Sequence, residues 1–451
     1  MLIWIVSTVL AFPCIAEDSR PNVLFIAIDD LNDWIGCMGG HPDTKTPNLD
    51  RLARQGVLFT NASTPSPACV PTRCAVMTGK APATTGLYHN SDGHHRLYDD
   101  LKSLVTLPQY FSQQGYKSWG AGKLLHHFHH GDYDEVFDNG YWKNPEPEGV
   151  DCEKPPRTIE EFLDWWAPVD VPNSDMKDWQ AAQWAAGVLQ QEHEKPFFLA
   201  CGIFRPHEPW NVPQAYYDKF PLDSLTLPKI KEDDLDDVGE PVKRPSPVAE
   251  RIVSDEQVWR KSVQSYLANI NFADDCLGLI LDALDKSPHR DNTIIVLWSD
   301  HGWQLGEKYR WAKFTLWERS SRCVLMLAGP GITRGGRVSS PVSLQDIYPT
   351  LIDLCRLPAR RSIDGRSFLP YLENPDKAPS DIPAITANEL GFSLRGARYR
   401  YIRYHDGSEE LYDHMKDPME WNNLADDPDY AAVVTELKTH LPKNPAPRKR
   451  R

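Results

Sequence analysis

Four apolar, β-rich runs, each giving way to acids, histidines or a lysine, constrain this chain more than any other feature. Val23-Leu24-Phe25-Ile26-Ala27-Ile28 stops at Asp29-Asp30. Phe197 to Phe204 stops at Arg205-Pro206-His207, and Thr293 to Trp298 stops at Ser299-Asp300-His301. Tyr116 to Ala121 leads into Gly122-Lys123 and His126. Apolar runs without polar alternation suit strands buried on both faces of a mainly parallel sheet. Helical patterns lie between them, for example Trp179 to Glu192 and Gln257 to Asp285. This alternation predicts an α/β fold: a large mixed, mainly parallel sheet flanked by helices. In such sheets ligands bind beyond the carboxyl ends of the strands, which is where these polar residues fall.

A chain of 451 residues is too long for one simple core, and one large α/β domain plus a smaller one is expected. The Pro- and acid-rich stretch from Leu222 to Pro247 reads as a long surface excursion or insertion. Composition shifts again near Pro375 to Pro383. Beyond it, Ser393 to Tyr404 alternates like half-exposed strand, Glu410-Leu411-Tyr412-Asp413 follows, and a last helix is expected around Ala431 to Leu441. These make a small C-terminal α+β subdomain. At the other end, the apolar stretch Met1 to Phe12 and a small-x-small site ending at Ala16 read as a cleaved export signal. The expected division is 1–16 signal peptide, 17–378 catalytic domain and 379–451 C-terminal subdomain. No later segment is long and apolar enough to span a bilayer, so a secreted or periplasmic enzyme is expected.

A formal charge of -14 argues against a nucleic-acid partner, though local cations in a cleft can still bind an anion. The basic run Arg448 to Arg451 reads as a solvated end. The nine cysteines have irregular spacing with no CxxC pair, and no disulfide can be assigned. Asn61-Ala62-Ser63 is a glycosylation sequon.

The motif that carries chemistry is Cys69-Val70-Pro71-Thr72-Arg73, followed by Met77-Thr78-Gly79-Lys80. With the Asp29-Asp30 strand end, it resembles the formylglycine sulfatases of the alkaline-phosphatase-like superfamily. The resemblance runs through Leu411-Tyr412-Asp413 and Asp417-Pro418 to Asn423-Leu424-Ala425. It departs at Thr72, where Ser or Ala is commoner. It implies that a formylglycine-generating (sulfatase-maturating) enzyme oxidises Cys69 to 3-oxoalanine. A thiol attacking sulfate would leave a thiosulfate ester with no built-in way out. A hydrated aldehyde offers one hydroxyl to attack sulfur and a second to expel the sulfate, which divides the covalent step into two easier ones. The family fold also implies that Cys69 starts a helix, whose N–H groups favour an anion.

The same resemblance assigns Asp29, Asp30, Asp300 and His301, with the modified Cys69, as ligands of one calcium ion per chain. Hard carboxylate oxygens suit such a cation, and its role would be Lewis-acidic. The Asp-His pair, where many relatives have Asn, and the patterns Gly-Lys-x-x-His (Lys123, His126), Arg-Pro-His (His207) and Trp-Ala-Lys (Lys313) match the iduronate 2-sulfatase branch. By resemblance Arg73 holds the diol and the ligating carboxylates, and Lys123 and Lys313 neutralise sulfate oxygens. His207 acts as general acid to the leaving alcohol and His126 on the diol, two roles open to exchange. His94-His95 and His126-His127 with His129-His130 read as rim residues rather than a second metal site. Trp165, Trp166, Trp210 and Trp303 suit either the core or a stacked sugar, and Asp92 and Glu389 are candidate substrate readers. The expected reaction is hydrolysis of a sulfate ester on a sulfated uronic acid or another glycosaminoglycan-like or algal saccharide. A phosphodiesterase or phosphonate monoester hydrolase using the same formylglycine is the enzymatic alternative. The complete acid, cysteine and arginine set argues against a non-catalytic saccharide binder.

Overall fold

A computed structural model describes residues 20–92, 104–126, 136–142 and 158–449. The expected signal peptide, His94, His95, His127, His129 and His130 lie outside the described residues.

Strand β1 (Asn22–Ile28) is buried throughout, and its side chains divide between two cores. Leu24, Ile26 and Ile28 enter one, and Val23, Phe25 and Ala27 the other. Two-sided burial explains why β1 reads as a continuous apolar run. Each of its buried Val, Leu, Ile and Phe side chains contributes about 1.5–3 kcal/mol of transfer free energy. In chain order the sheet also contains β2 (Val57–Phe59), β3 (Lys117–Gly122), β4 (Tyr141–Trp142), β5 (Phe197–Ile203), β6 (Thr293–Ser299), β7 (Leu325–Ala328) and β8 (Gly336–Val338). The described strands are ordered β8-β2-β7-β6-β1-β5-β3-β4. Strand β7 runs against both of its neighbours, while β6, β1, β5 and β3 are parallel and adjacent.

Those four strands end level. Ile28 lies beside Ile203 and Ser299, and Gly202 beside Gly122. Helices α1 (Cys69–Thr78) and α4 (Ile347–Leu354) cover one face; α2 (Lys177–Leu189) and α3 (Glu256–Asp285) cover the other. The side chain of Asp255 caps α3 by accepting from Gln257 and Val258 N–H.

The C-terminal subdomain is an antiparallel sheet of β9 (Ala384–Asn388), β10 (Gly391–Arg395), β11 (Tyr399–Tyr404) and β12 (Glu409–Asp413), with helix α5 (Ala431–Lys438) on its apolar face. Helix α5 stops short of the expected Leu441, consistent with Pro442, which disfavours helical backbone at the residue before it.

Two expectations need correction. The 222–247 stretch is not only a surface excursion: Leu235, Val238 and Val242 pack on Trp317, Tyr404 and Tyr412, and Asp234 forms a buried 2.7 Å ion pair with Lys308. The basic end is not wholly solvated: Arg448 is half-buried and pairs with buried Asp92, while Lys449 is exposed. Asn61 is buried, with its amide donating to Ser339 and Gly396 carbonyls, so the folded chain does not present the sequon. The described cysteines are all free thiols. Among the described residues no helix is long and apolar enough to cross a membrane.

Candidate active site

Cys69 is the first residue of α1, and the five-residue motif spans the helix's first turn. Pro71 is tolerated there because first-turn N–H groups have no partner within the helix. Residues four apart share a helix face, so Cys69 and Arg73 point the same way. Gly79, at φ 70°, ends the helix. Cys69 is fully buried, and its Sγ lies 3.0 Å from Lys313 Nζ, 3.3 Å from His301 Nε2 and 3.9 Å from Asp30 Oδ1.

The carboxylates come from the ends of adjacent strands: Asp29 and Asp30 follow β1, and Asp300 and His301 follow β6. All four are fully buried. Arg73 lies among them, with Nη2 donating to Asp29 (2.8 Å), Nε to Asp300 (3.1 Å) and Nη1 to the Lys123 and Leu124 carbonyls (2.7 and 3.1 Å). Lys123 pairs with the other oxygen of Asp29. Lys313 pairs with Asp30 at 2.7 Å. His207 Nε2 stands 3.7 Å from Asp30 Oδ2, and its Nδ1 faces the Glu208 carbonyl at 2.5 Å.

These contacts divide the titrations. Burial opposes ionisation of Asp29, yet Lys123 and Arg73 hold its carboxyl well below the usual range. Burial pushes Asp30 up to about 8 and Asp300 to about 6. Burial likewise opposes charge on His301, but Asp300 raises it to about 9. Burial, then Lys123, keeps His126 neutral down to about 2; burial, Lys123 and Lys313 hold His207 well below its ordinary value. The Cys69 thiol is lowered against burial by Lys313. One buried space thus holds closely spaced acids whose charge is costly without a further cation.

The ligand atoms of Asp30, Cys69, Asp300 and His301 lie within 4.8 Å of one another, as do those of Asp29, Asp30, Cys69 and His207. Asp30 Oδ2 is buried without a hydrogen bond. An oxygen-rich, under-satisfied cluster of this kind fits a hard divalent cation. A third cluster of Glu318, His414 and Glu420 is different, because Arg400 and Arg395 already neutralise its carboxylates.

The residues expected to act in catalysis or hold the metal converge here: Asp29, Asp30, Cys69, Arg73, Lys123, His207, Asp300, His301 and Lys313 by direct contact, and His126 by its place in the field of Lys123 and Asp29. Trp166, Trp210 and Trp303 are buried core residues, which removes them as sugar platforms, while half-buried Trp165 packs against that core. Asp92 is buried and accepts the Tyr88 and His89 N–H groups, so it does not read substrate. Glu389 is half-buried.

Several supporting contacts escaped the sequence reading. Asp30 adopts φ 57°, uncommon for a non-glycine. Its N–H goes to Asp300 Oδ1 at 3.0 Å, and its carbonyl accepts from Tyr266 at 2.7 Å. Gly122 and Gly202 face each other; a Cβ on Gly122 would stand 1.9 Å from the Gly202 oxygen. Thr72 is buried and hydrogen-bonds Ser66 O and Thr64, which in turn donates to the Asp300 carbonyl.

Residues 21–357 match the protein family described as Sulfatase. The chain belongs to the sulfatase family. Residues 306–446 of this sulfatase also match the family described as N-sulphoglucosamine sulphohydrolase, C-terminal. It is 39% identical to a sulfatase of Formosa agariphila, over 95% of this chain and 88% of that protein. It is 28% identical to mouse iduronate 2-sulfatase, over 92% and 93%. Among solved structures it resembles a 2-O GAG sulfatase (TM-score 0.73, 23% identity, 93% and 91% covered). A phosphonate monoester hydrolase of Agrobacterium radiobacter is similar in fold (TM-score 0.72, 22% identity, 94% and 97% covered). The chain is therefore a sulfuric ester hydrolase, with the sheet, flanking helices and C-terminal subdomain of its relatives.

Proposed function

We propose that this sulfatase removes sulfate from a sulfated uronic acid of a glycosaminoglycan-like or algal polysaccharide, using formylglycine made from Cys69 and one calcium ion. The observation that carries this reading is the placement of Cys69 at a helix start, 3.0 Å from Lys313 and 3.3 Å from His301, beside three buried carboxylates. The match to iduronate 2-sulfatase over most of both chains supports the substrate class.

In this reading the thiol of Cys69 stands in for the oxygens of the aldehyde hydrate. That hydrate supplies one hydroxyl to displace the alcohol from sulfur and a second to expel the sulfate. Asp29, Asp30, Asp300 and His301 would hold the cation, whose chemistry is to polarise a sulfate oxygen and favour ionisation of a bound hydroxyl. The chain's own residues do the rest. Arg73 fixes Asp29 and Asp300 through one hydrogen bond to each. Lys123 and Lys313 bring two positive charges to where sulfate oxygens gain charge. Those charges help keep His207 neutral in the free enzyme. An anionic substrate between them offsets that effect, so His207 can take a proton and deliver it to the leaving alcohol. His126 acts on the diol.

Cys69 is inaccessible in the folded chain, so the maturating enzyme acts before folding is complete. Residues 1–16 serve as an export signal to the periplasm or medium, 17–378 as the catalytic domain and 379–451 as the C-terminal subdomain. The test is sulfate release from defined sulfated uronates by enzyme co-expressed with a maturase, beside aryl phosphate diesters. Sulfate release abolished by Cys69→Ala, with the fold intact, is expected. Preferential turnover of the phosphate diesters would instead support the phosphonate hydrolase reading, to which the fold likeness extends.

A further inference from the structure

The segment Pro445–Lys449 folds back across the chain and lies along residues 83–92. Ala446 N–H donates to Ala83 O at 2.7 Å, and Lys449 N–H to Gly86 O at 2.9 Å. Tyr88 Oη donates to Ala446 O at 2.7 Å. The approach is close enough that a Cβ on Gly86, already at φ 75°, would come within 2.4 Å of the Pro447 oxygen. Arg448 completes the strap, with Nε 2.8 Å from Asp92 Oδ1 and Nη2 3.4 Å from Ser91 Oγ.

Asp92 links this strap to a tight loop. It is 1% exposed, and its second oxygen accepts the Tyr88 and His89 N–H groups at 2.9 and 3.0 Å. The same loop reaches the nucleophile from two sides. Asn90 Oδ1 accepts the N–H of Val70, the residue after Cys69, at 2.9 Å. The His89 ring packs on Phe314 at 4.9 Å, and Phe314 follows Lys313 at φ 77°, with its N–H donating to Pro67 O at 3.0 Å. A carboxylate held by an arginine therefore sets a loop that touches both the start of α1 and the turn presenting Lys313. Burial of Asp92 makes this pairing consequential: without Arg448, one of its oxygens loses its charged partner.

We infer that Arg448 is a positioning residue for the sulfatase reaction, acting through Asp92 and Asn90 to fix the backbone at Cys69–Val70 and the Lys313 turn. The inference rests on Cys69 being the site of the nucleophile. Misplacement of a reacting group by an ångström or less costs up to about a hundredfold in rate, so a loosened loop should lower kcat much more than it raises KM.

The experiment compares Arg448→Ala, Arg448→Lys, Asp92→Asn and the double variant Arg448→Ala/Asp92→Asn with the wild-type enzyme. Lys438→Ala, which removes an ion pair with Glu409 on the subdomain surface, is the control. Turnover of an aryl sulfate is normalised to formylglycine content, and hydrogen exchange is followed in the peptides containing Val70 and Tyr88 to Asp92. Arg448→Ala should lower kcat by about tenfold with KM within about threefold and accelerate exchange in both peptides. Arg448→Lys should recover most of the loss, the double variant should be no worse than the more impaired single one, and Lys438→Ala should match wild type. Unchanged exchange at Val70 in Arg448→Ala, or a kcat loss that follows thermal stability and that Lys does not recover, would overturn the inference. The exchange readout needs no turnover: in an enzyme inactive on sulfate esters the functional reading fails, while faster exchange at Val70 in Arg448→Ala still supports the positioning contact and unchanged exchange still overturns it.

Discussion

Arg73 gives the sharpest test of how the site is held. In Arg73→Met the side-chain volume is roughly kept but four hydrogen bonds disappear, two of them to buried carboxylates. Asp29 retains Lys123, whereas Asp300 loses the only arginine or lysine paired with it among the described residues. Removing one partner of a buried pair costs about 3–5 kcal/mol. Arg73→Lys keeps the charge but not the fork, and should cost about 2 kcal/mol. The pH dependence has a definite sign. Asp300 is already raised to about 6 by burial, and losing Arg73 raises it further. A carboxyl raised on folding destabilises above its folded value and less as pH falls through it. The Arg73→Met deficit should therefore be largest near pH 8 and shrink toward pH 5. Urea unfolding in excess chelator at several pH values measures it. A deficit under about 1 kcal/mol, the surface-pair range, or one that grows toward acid, would refute this account of the buried charges.

Tyr266→Phe deletes the hydroxyl that donates to Asp30 O and accepts from Asn32 N–H; a loss of about 1–3 kcal/mol in unfolding free energy is expected, with reduced kcat in a sulfate-release assay. Gly122→Ala forces a Cβ against Gly202 O at φ 70°, so at least about 1–3 kcal/mol of destabilisation should appear in the thermal midpoint. Glu318 is held well below its ordinary 4.5 by Arg395, His414 and Arg400 against burial. A depressed folded value contributes stability above pH 4.5 that is lost as pH falls below it. Glu318→Gln should accordingly be less stable at pH 7, with the gap to wild type closing below about pH 4.5; parallel midpoint profiles would contradict this.

The sheet and most of the site were legible because two-sided burial leaves a plain signature. Strands β1 and β5 are apolar to their last residues and β6 is apolar to Trp298, one short of its end, so the polar residues beyond stand out as chemistry. The i, i+4 spacing of Cys69 and Arg73 similarly survives in one dimension. Tyr266 was not legible: it sits among apolar residues of α3 and reaches Asp30 across 236 positions. Asp92 was singled out for substrate reading, but its partner Arg448 lies 356 residues away in what composition alone describes as a basic end. The Gly122–Gly202 contact needs two strands in register, which neither glycine announces. Thr72 looked like a departure from the motif, yet its hydroxyl bonds to Ser66 O and Thr64 beneath the Asp300 carbonyl.

Catalysis as proposed depends on position 69 working as an oxidised aldehyde beside buried acids. Peptide mass spectrometry on the fraction of enzyme shown to release sulfate measures this directly. The peptide containing residue 69 should carry the aldehyde in proportion to specific activity. Fully active enzyme with an unmodified Cys69 thiol would contradict it.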